Sequence, residues 1–213
     1  MKDIALFGAG GFGREVACLI NLINEVTPTW NLIGFFDDGK PIGDDVTYGK
    51  VLGGIDELNN WEKELAVAIP VATPETLSII VSKINNPLIT FPNLVAPDVV
   101  FFDKKNMKMG KGNIIGTKCA FSTNVTLGDF NLFNCAIMVG HDTRLGNCNV
   151  IMSSVNISGG IEIGDENFFG VQSVLLQYLK VGNHTRVGAN SVVIRSTKDG
   201  NLYIGNPATR VKL

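Results

Sequence analysis

Two histidines in 213 residues, four cysteines without a C-x-x-C pair and no run of like charges exclude several kinds of protein at once. Cys18, Cys119, Cys135 and Cys148 are scattered, so neither a disulfide framework nor a zinc knuckle is expected, and the thiols read as reduced and mostly buried. No metal site is expected. A formal net charge of -2 offers no electrostatic attraction to nucleic acid. The opening MKDIALFGAG holds only four apolar residues, Ile4 to Phe7, before glycine begins, too few for a signal-peptide core or a membrane span. A cytoplasmic protein without membrane insertion is therefore expected, with small molecules or other subunits as partners. With 45% hydrophobic residues the chain has material for one large domain or two small ones.

Glycine, by contrast, is plentiful, and much of it is periodic. From Met109 to Lys198 the chain divides into fifteen hexapeptides without an insertion, each beginning with an apolar residue and nine carrying glycine second. A period of six suits neither a helix nor an alternating strand in a flat sheet. It suits a parallel β-helix in which each hexapeptide makes one short face and one corner, so that three faces close a coil and residues eighteen apart are vertical neighbours. First-position side chains are expected inside. Second-position glycines are expected to serve corners with unusual backbone angles.

The first ninety-two residues follow another rhythm. DIALFGAGGFGREVACLINLINEV reads as a strand, a glycine-rich turn and a helix with apolar residues at Val16, Leu19, Ile20 and Ile23. NLIGFFDD is a second buried strand ending in two acids. ELAVAIPVATPETLSIIVSKI adds a third strand and a helix, with Thr73 at its N-cap and Pro74 as its first residue. The expected architecture is α/β plus β-solenoid: a small Rossmann-like domain over 1–92 and a parallel β-helix with its C-terminal tail over 93–213.

Gly8-Ala9-Gly10-Gly11-Phe12-Gly13 satisfies G-x-G-x-x-G after a strand and before a helix, where backbone N–H groups can hold a phosphate. Asp37 and Asp38, ending the second strand, are placed to meet a ribose or a base edge. Three readings stand: the nucleotide of a sugar substrate, a purely structural turn, and NAD. The last lacks a second mononucleotide half and a hydride-transfer partner.

His141 holds the third place of its hexapeptide, where a side chain points outward. Imidazole titrates near neutrality and suits a general base, and the adjacent carboxylate of Asp142 can fix its tautomer. Eighteen residues on lies Gly159, followed by Gly160, then Gln177 and Arg195 at the same interval. Glycine above the histidine leaves room for a thioester, and its N–H can stabilise an oxyanion. Gln177 and Arg195 would follow an extended pantetheine arm, with Arg195, Lys198, Arg210 and Lys212 toward its phosphates. A solvated or interface histidine without chemistry is the plain alternative. His184 falls in a different phase of the coil and reads as structural, and the two histidines do not supply the three ligands of a β-helix zinc site.

Taken together, GAGGFGREV, GHD, ISGGIEIG and the terminal IGNPATRV resemble the bacterial sugar acetyltransferases of the sialic-acid O-acetyltransferase type, which include N-acetyltransferases acting on nucleotide-linked 4-amino sugars. The resemblance spans nearly the whole chain. It implies a left-handed β-helix, a homotrimer with sites between neighbouring β-helices, and acetyl-CoA as co-substrate. It makes His141 the base with Asp142 as its partner, and sets Gly159 by the thioester carbonyl. Gly8, Gly10, Gly11, Arg14, Asp37, Asp38 and Thr73 would form the nucleotide-sugar site. Gly160, Gln177, Gly188, Ala189, Arg195, Pro207, Ala208 and Arg210 would form the coenzyme site. This chain has Val150 where many members carry a second histidine near the coenzyme, and IPVATPE where many have an IGNN or IGD loop after the third strand. Acetylation of a sugar amine is the expected activity, with sugar O-acetylation and a non-catalytic β-helix scaffold as alternatives.

Overall fold

The computed structural model describes residues 1–211. Its N-terminal part contains β1 (Lys2–Phe7), α1 (Gly11–Val26), β2 (Trp30–Phe36), β3 (Asp45–Val46), β4 (Gly49–Gly53), α2 (Ile55–Asn59), β5 (Leu65–Ala68), α3 (Pro74–Lys83) and β6 (Ile89–Thr90). The sheet order is β3-β4-β2-β1-β5-β6, parallel except for β3 against β4. Ile4 and Leu6 pack with Val16, Leu19 and Ile20 of α1, while Ala5 and Phe7 face Leu77 and Ile80 of α3. Burial on both faces is why these strands read as continuous apolar runs.

β4 escapes a pattern search because it is glycine-bounded and follows a polar loop. Gly34, with φ +148°, lets β4 approach so closely that a Cβ there would lie 2.7 Å from the Lys50 carbonyl oxygen. The strand's side chains pack as well, Val51 into the cluster with α1 and Leu52 against the cluster on the other side of the sheet.

The repeats build three parallel sheets. The first face runs from Leu94–Val95 to Leu202–Gly205, the second from Val100–Phe101 to Val192–Val193, the third from Lys108–Met109 to Lys180–Val181. Ile114 pairs with Leu132, Leu132 with Val150 and Val150 with Phe168, the eighteen-residue step the sequence predicts. The step is longer at the start, where Leu94 pairs with Ile114, and shorter at the end, where Arg186 pairs with Leu202. Leu202–Gly205 then turns into an antiparallel partner, Ala208–Val211. Among the described residues no helix is long and apolar enough to cross a membrane.

First-position residues such as Phe121, Val139, Ile157 and Leu175 fill the interior, as expected. The role given to second-position glycine needs correction. The left-handed backbone recurs at the fourth position, at Lys118, Asn124, Phe130, Ala136, Asp142 and onward, mostly at residues other than glycine. Second-position glycines are needed for closeness instead: a Cβ on Gly116 would overlap the Asn134 carbonyl oxygen of the next coil. A further ladder lies inside one corner. Asn131, Asn149 and Asn167 are buried, and the side-chain oxygen of each accepts the next rung's backbone N–H at 2.7–3.0 Å. Buried amides are thereby satisfied by one another along the corner.

The outward sides of the three faces differ. On the first, Ile114, Leu132 and Val150 are buried, and the N-terminal domain packs there and along the adjoining corner through Leu94, Ile114, Phe130 and Cys148. Glu75 of α3 grips Arg186 through both carboxylate oxygens at 2.8 Å. The third face presents Lys108, Arg144, Glu162 and Lys180, with Glu162 and Lys180 paired at 2.9 Å. The second presents Val100, Ala120, Met138, Asn156, Val174 and Val192, mostly apolar and at least partly exposed.

Candidate active site

At the C-terminal edge of the N-terminal sheet three segments converge. Gly8 leaves β1 with φ +125°, and a Cβ on it would lie 3.3 Å from the Pro70 carbonyl oxygen, so the glycine loop and the Ile69–Thr73 segment touch. Gly10 caps α1, and Gly13 packs so tightly on the Gly8 carbonyl that no side chain fits. The crevice lies where the sheet order switches from β1–β2 to β1–β5, the place where open α/β sheets take ligands. The N–H groups of α1 open onto it, and the exposed Arg14 guanidinium lies near Gly11. Positive partial charge and a cation make an anion site.

The two acids have backbone partners within the chain. Asp37 accepts the Ala9 N–H at 2.8 Å and the Gly39 N–H at 2.9 Å, pinning the glycine loop to the end of β2. Asp38 accepts the Ile55 N–H at 2.7 Å at the start of α2. Thr73 stands at the N-cap of α3 and is exposed, but its side chain makes no cap; its carbonyl accepts the Leu77 N–H at 2.9 Å.

His141 lies on the corner between the second and third faces, opposite the face the N-terminal domain covers. Its imidazole is half exposed, and Nδ1 meets the Asp142 carboxylate at 2.8 Å. Asp142 adopts φ +56°, which turns its side chain back to the ring of the preceding residue. Its second oxygen accepts the Asn124 amide at 2.6 Å. That bond, then the bond to His141, holds the Asp142 carboxyl below the usual carboxylate range. With Nδ1 engaged by a carboxylate, Nε2 is the free nitrogen, and it points at Gly159: a Cβ there would overlap Nε2 and stand 2.6 Å from Cε1. Among the described residues the Gly159 N–H donates to no protein acceptor, whereas the Gly160 N–H bonds the His141 carbonyl at 2.7 Å. The imidazole thus lies against Gly159, as only a residue without a side chain allows, beside a backbone N–H that has no protein acceptor.

Of the residues expected around the coenzyme, Gly160, Gln177 and Arg195 share this corner, and the latter two are exposed. Gly188 and Ala189 lie elsewhere, on the corner between the first and second faces, and Gly188 packs under Ile204. Pro207, Ala208 and Arg210 belong to the C-terminal hairpin beside it. One chain therefore does not gather the whole set. Lys212 lies outside the described residues. Val150, which the resemblance puts near the coenzyme, is fully buried on the first face of this chain. His184 sits 3.4 Å from Glu166, which also accepts the Ser78 hydroxyl at 2.9 Å, so it belongs to the domain interface. Cys135 and Cys148 lie on the other two corners, away from His141. Among the described residues no cluster of His, Cys, Asp and Glu suits a metal ion.

Sequence reasoning missed Asn124, although it stands one eighteen-residue step before Asp142 and the spacing alone could have found it. Tyr178 was missed too. It is largely exposed, with its ring over Gly160 on the His141 corner.

These features define a two-part molecule, a small α/β domain with a glycine loop joined to a β-helix with a histidine–aspartate dyad. Residues 3–84 match the PglD N-terminal domain. No curated protein matches the sequence. The whole chain is similar to WeeI from Acinetobacter baumannii, at 25% identity with 99% of this chain and 100% of that one covered and a TM-score of 0.88. It is similar to the acetyltransferase domain of PglB from Neisseria gonorrhoeae in complex with acetyl coenzyme A, at 25% identity, 99% of each chain and a TM-score of 0.85. In fold it also matches a histidine-to-asparagine mutant of perosamine N-acetyltransferase from Caulobacter crescentus, solved with CoA and GDP-perosamine, at 21% identity, 100% and 98% coverage and a TM-score of 0.89. The resemblance to hexapeptide-repeat sugar acetyltransferases is borne out, and with it the left-handed coil and the class of enzyme, an acyltransferase.

Proposed function

We propose that this protein transfers an acetyl group from acetyl-CoA to the amine of a nucleotide-linked amino sugar, with His141 as general base. The observation that carries the proposal is the arrangement at one corner of the β-helix: Nδ1 held by Asp142, Nε2 facing Gly159, and a Gly159 N–H without a protein acceptor. The neutral amine attacks the thioester carbonyl while Nε2 takes its proton. Negative charge developing on the carbonyl oxygen is met by the Gly159 N–H. The tetrahedral intermediate collapses, the C–S bond breaks, and the imidazolium returns the proton to the departing thiolate. Asp142 keeps the proton-bearing Nδ1 in place throughout, and no covalent enzyme intermediate is required. Support for the substrates comes from the structural relatives, among them the PglB domain with acetyl coenzyme A and perosamine N-acetyltransferase with GDP-perosamine.

We further propose that the working form is a homotrimer in the cytoplasm. The N-terminal domain packs over the first face and His141 occupies the opposite corner, so on this reading one chain keeps its two half-sites apart. Assembly through the apolar second face brings His141, Gln177 and Arg195 of one chain beside Gly188, Ala189 and the hairpin of its neighbour. The scattered coenzyme residues then form one cleft.

The test is thiol release from acetyl-CoA against a panel of UDP-, GDP- and dTDP-linked amino sugars and their counterparts with a hydroxyl in place of the amine, for the wild type and His141→Ala. Turnover with one sugar, lost by roughly 10²–10⁴-fold in the variant, is expected. Full turnover in the variant would remove His141 from the mechanism, and reaction only with sugars lacking an amine would replace N- by O-acetylation.

A further inference from the structure

The dyad has a third member one coil below. We infer that Asn124 is a positioning residue for the base: its amide holds one Asp142 oxygen so that the other stays on His141 Nδ1 and Nε2 stays beneath Gly159. This rests on the reading of His141 as the base. The Asn124 amide nitrogen donates to Asp142 Oδ1 at 2.6 Å, and Asp142 Oδ2 meets His141 Nδ1 at 2.8 Å. The Asp142 backbone is fixed by its own N–H on the Thr123 carbonyl at 3.0 Å, which leaves the side-chain torsions as the freedom that remains. That carboxylate is more than half exposed, so packing does not hold it. A hydrogen bond to a charged acceptor is the element that does.

Backbone conformation alone does not account for asparagine at 124. Its φ of +56° suits asparagine, but Lys118, Ala136 and Ser154 adopt the same left-handed angle at their corners. Nor is the amide drawn elsewhere. The nearby Asp103 carboxylate is already engaged by the Thr123 hydroxyl at 2.7 Å and the Asn106 amide at 2.7 Å. Arg144, on the strand after the dyad, offers Asp142 a competing cation if the Asn124 bond is lost.

The experiment compares wild type, Asn124→Gly, Asp142→Ala, the double variant and His141→Ala, by steady-state acetyl transfer and by thermal unfolding. Glycine keeps the left-handed backbone and removes only the amide. Asn124→Gly is expected to lower kcat by roughly tenfold, the low end for a hydrogen bond to a charged group. KM for both substrates and the unfolding midpoint should stay near wild type. In the Asp142→Ala background the same change should do nothing more, since the group it positions is gone. An unchanged kcat in Asn124→Gly, or losses that multiply in the double variant, would overturn the positioning role. An active His141→Ala would instead overturn the reading of the base, so the two failures are distinguishable.

Discussion

Replacing Gly159 by alanine separates chemistry from folding at a single carbon atom. The Gly159 backbone is not in the left-handed region, so alanine meets no torsional obstacle. The new Cβ collides with one side chain, the His141 imidazole, standing 2.6 Å from Cε1 and 2.8 Å from Cδ2. That ring is half exposed and can swing outward, at a cost of about 1 kcal/mol for leaving its rotamer well. Swinging breaks the 2.8 Å contact with Asp142 and carries Nε2 away from the Gly159 N–H. Acetyl transfer should therefore fall about as far as in His141→Ala, roughly 10²–10⁴-fold, while the midpoint drops by only about 2–4 °C. Gly116→Ala is the counterpart. Its Cβ would overlap the Asn134 carbonyl oxygen and lie 2.9 Å from the carbonyl carbon, and neither backbone atom can move without parting two coils. Overpacking of that kind costs about 1–3 kcal/mol or more and should show first in thermal unfolding. Thiol release and differential scanning calorimetry on both variants decide the matter. A fully active Gly159→Ala, or one destabilised as much as Gly116→Ala, would refute the reading of Gly159 as the space above the base.

Two further outcomes follow from the surfaces and the thiols. Val174→Lys puts a charge on the apolar second face without touching the His141 corner, and sedimentation velocity should then show the assembly dissociating and acetyl transfer falling with it; an intact, active oligomer would mean that subunits meet elsewhere. Burial pushes the thiols of Cys119 and Cys148 up to about 11, so both stay protonated from pH 7 to 9 and should resist alkylation until the protein unfolds, while the exposed Cys18 is modified in the native state; mass mapping of the labelled peptides checks this, and rapid native labelling of Cys119 would contradict the packing.

What the sequence discloses depends on which physical constraint selects each residue. The interior of the β-helix tolerates only apolar side chains at the first position, so Val139, Ile157 and Leu175 write the fold into the sequence as a period. The tight stacking of coils writes a second period, glycine at Gly116, Gly128 and Gly140, which is easily misread as conformational because glycine serves both needs. The conformational constraint itself falls at the fourth position, where lysine, alanine, phenylalanine and tyrosine all accept a positive φ, so it leaves almost no mark in composition. β4 is similarly obscure, since it has only Val51 and Leu52 as apolar residues between Gly49 and Gly53. The candidate site was legible where chemistry restricts residue type sharply, as at His141 and Gly159, and illegible where a contact uses a common residue for a local purpose, as at Asn124. The division of the coenzyme residues between two corners was out of reach for a further reason. Spacing reports neighbours along one coil, whereas Gly188, Ala189 and Arg210 stand on another corner of the coil from His141, and only the proposed assembly would bring them to it. If the proposed assembly holds, each chain carries half a pattern, and the apolar second face is the feature of one chain that such an assembly would cover.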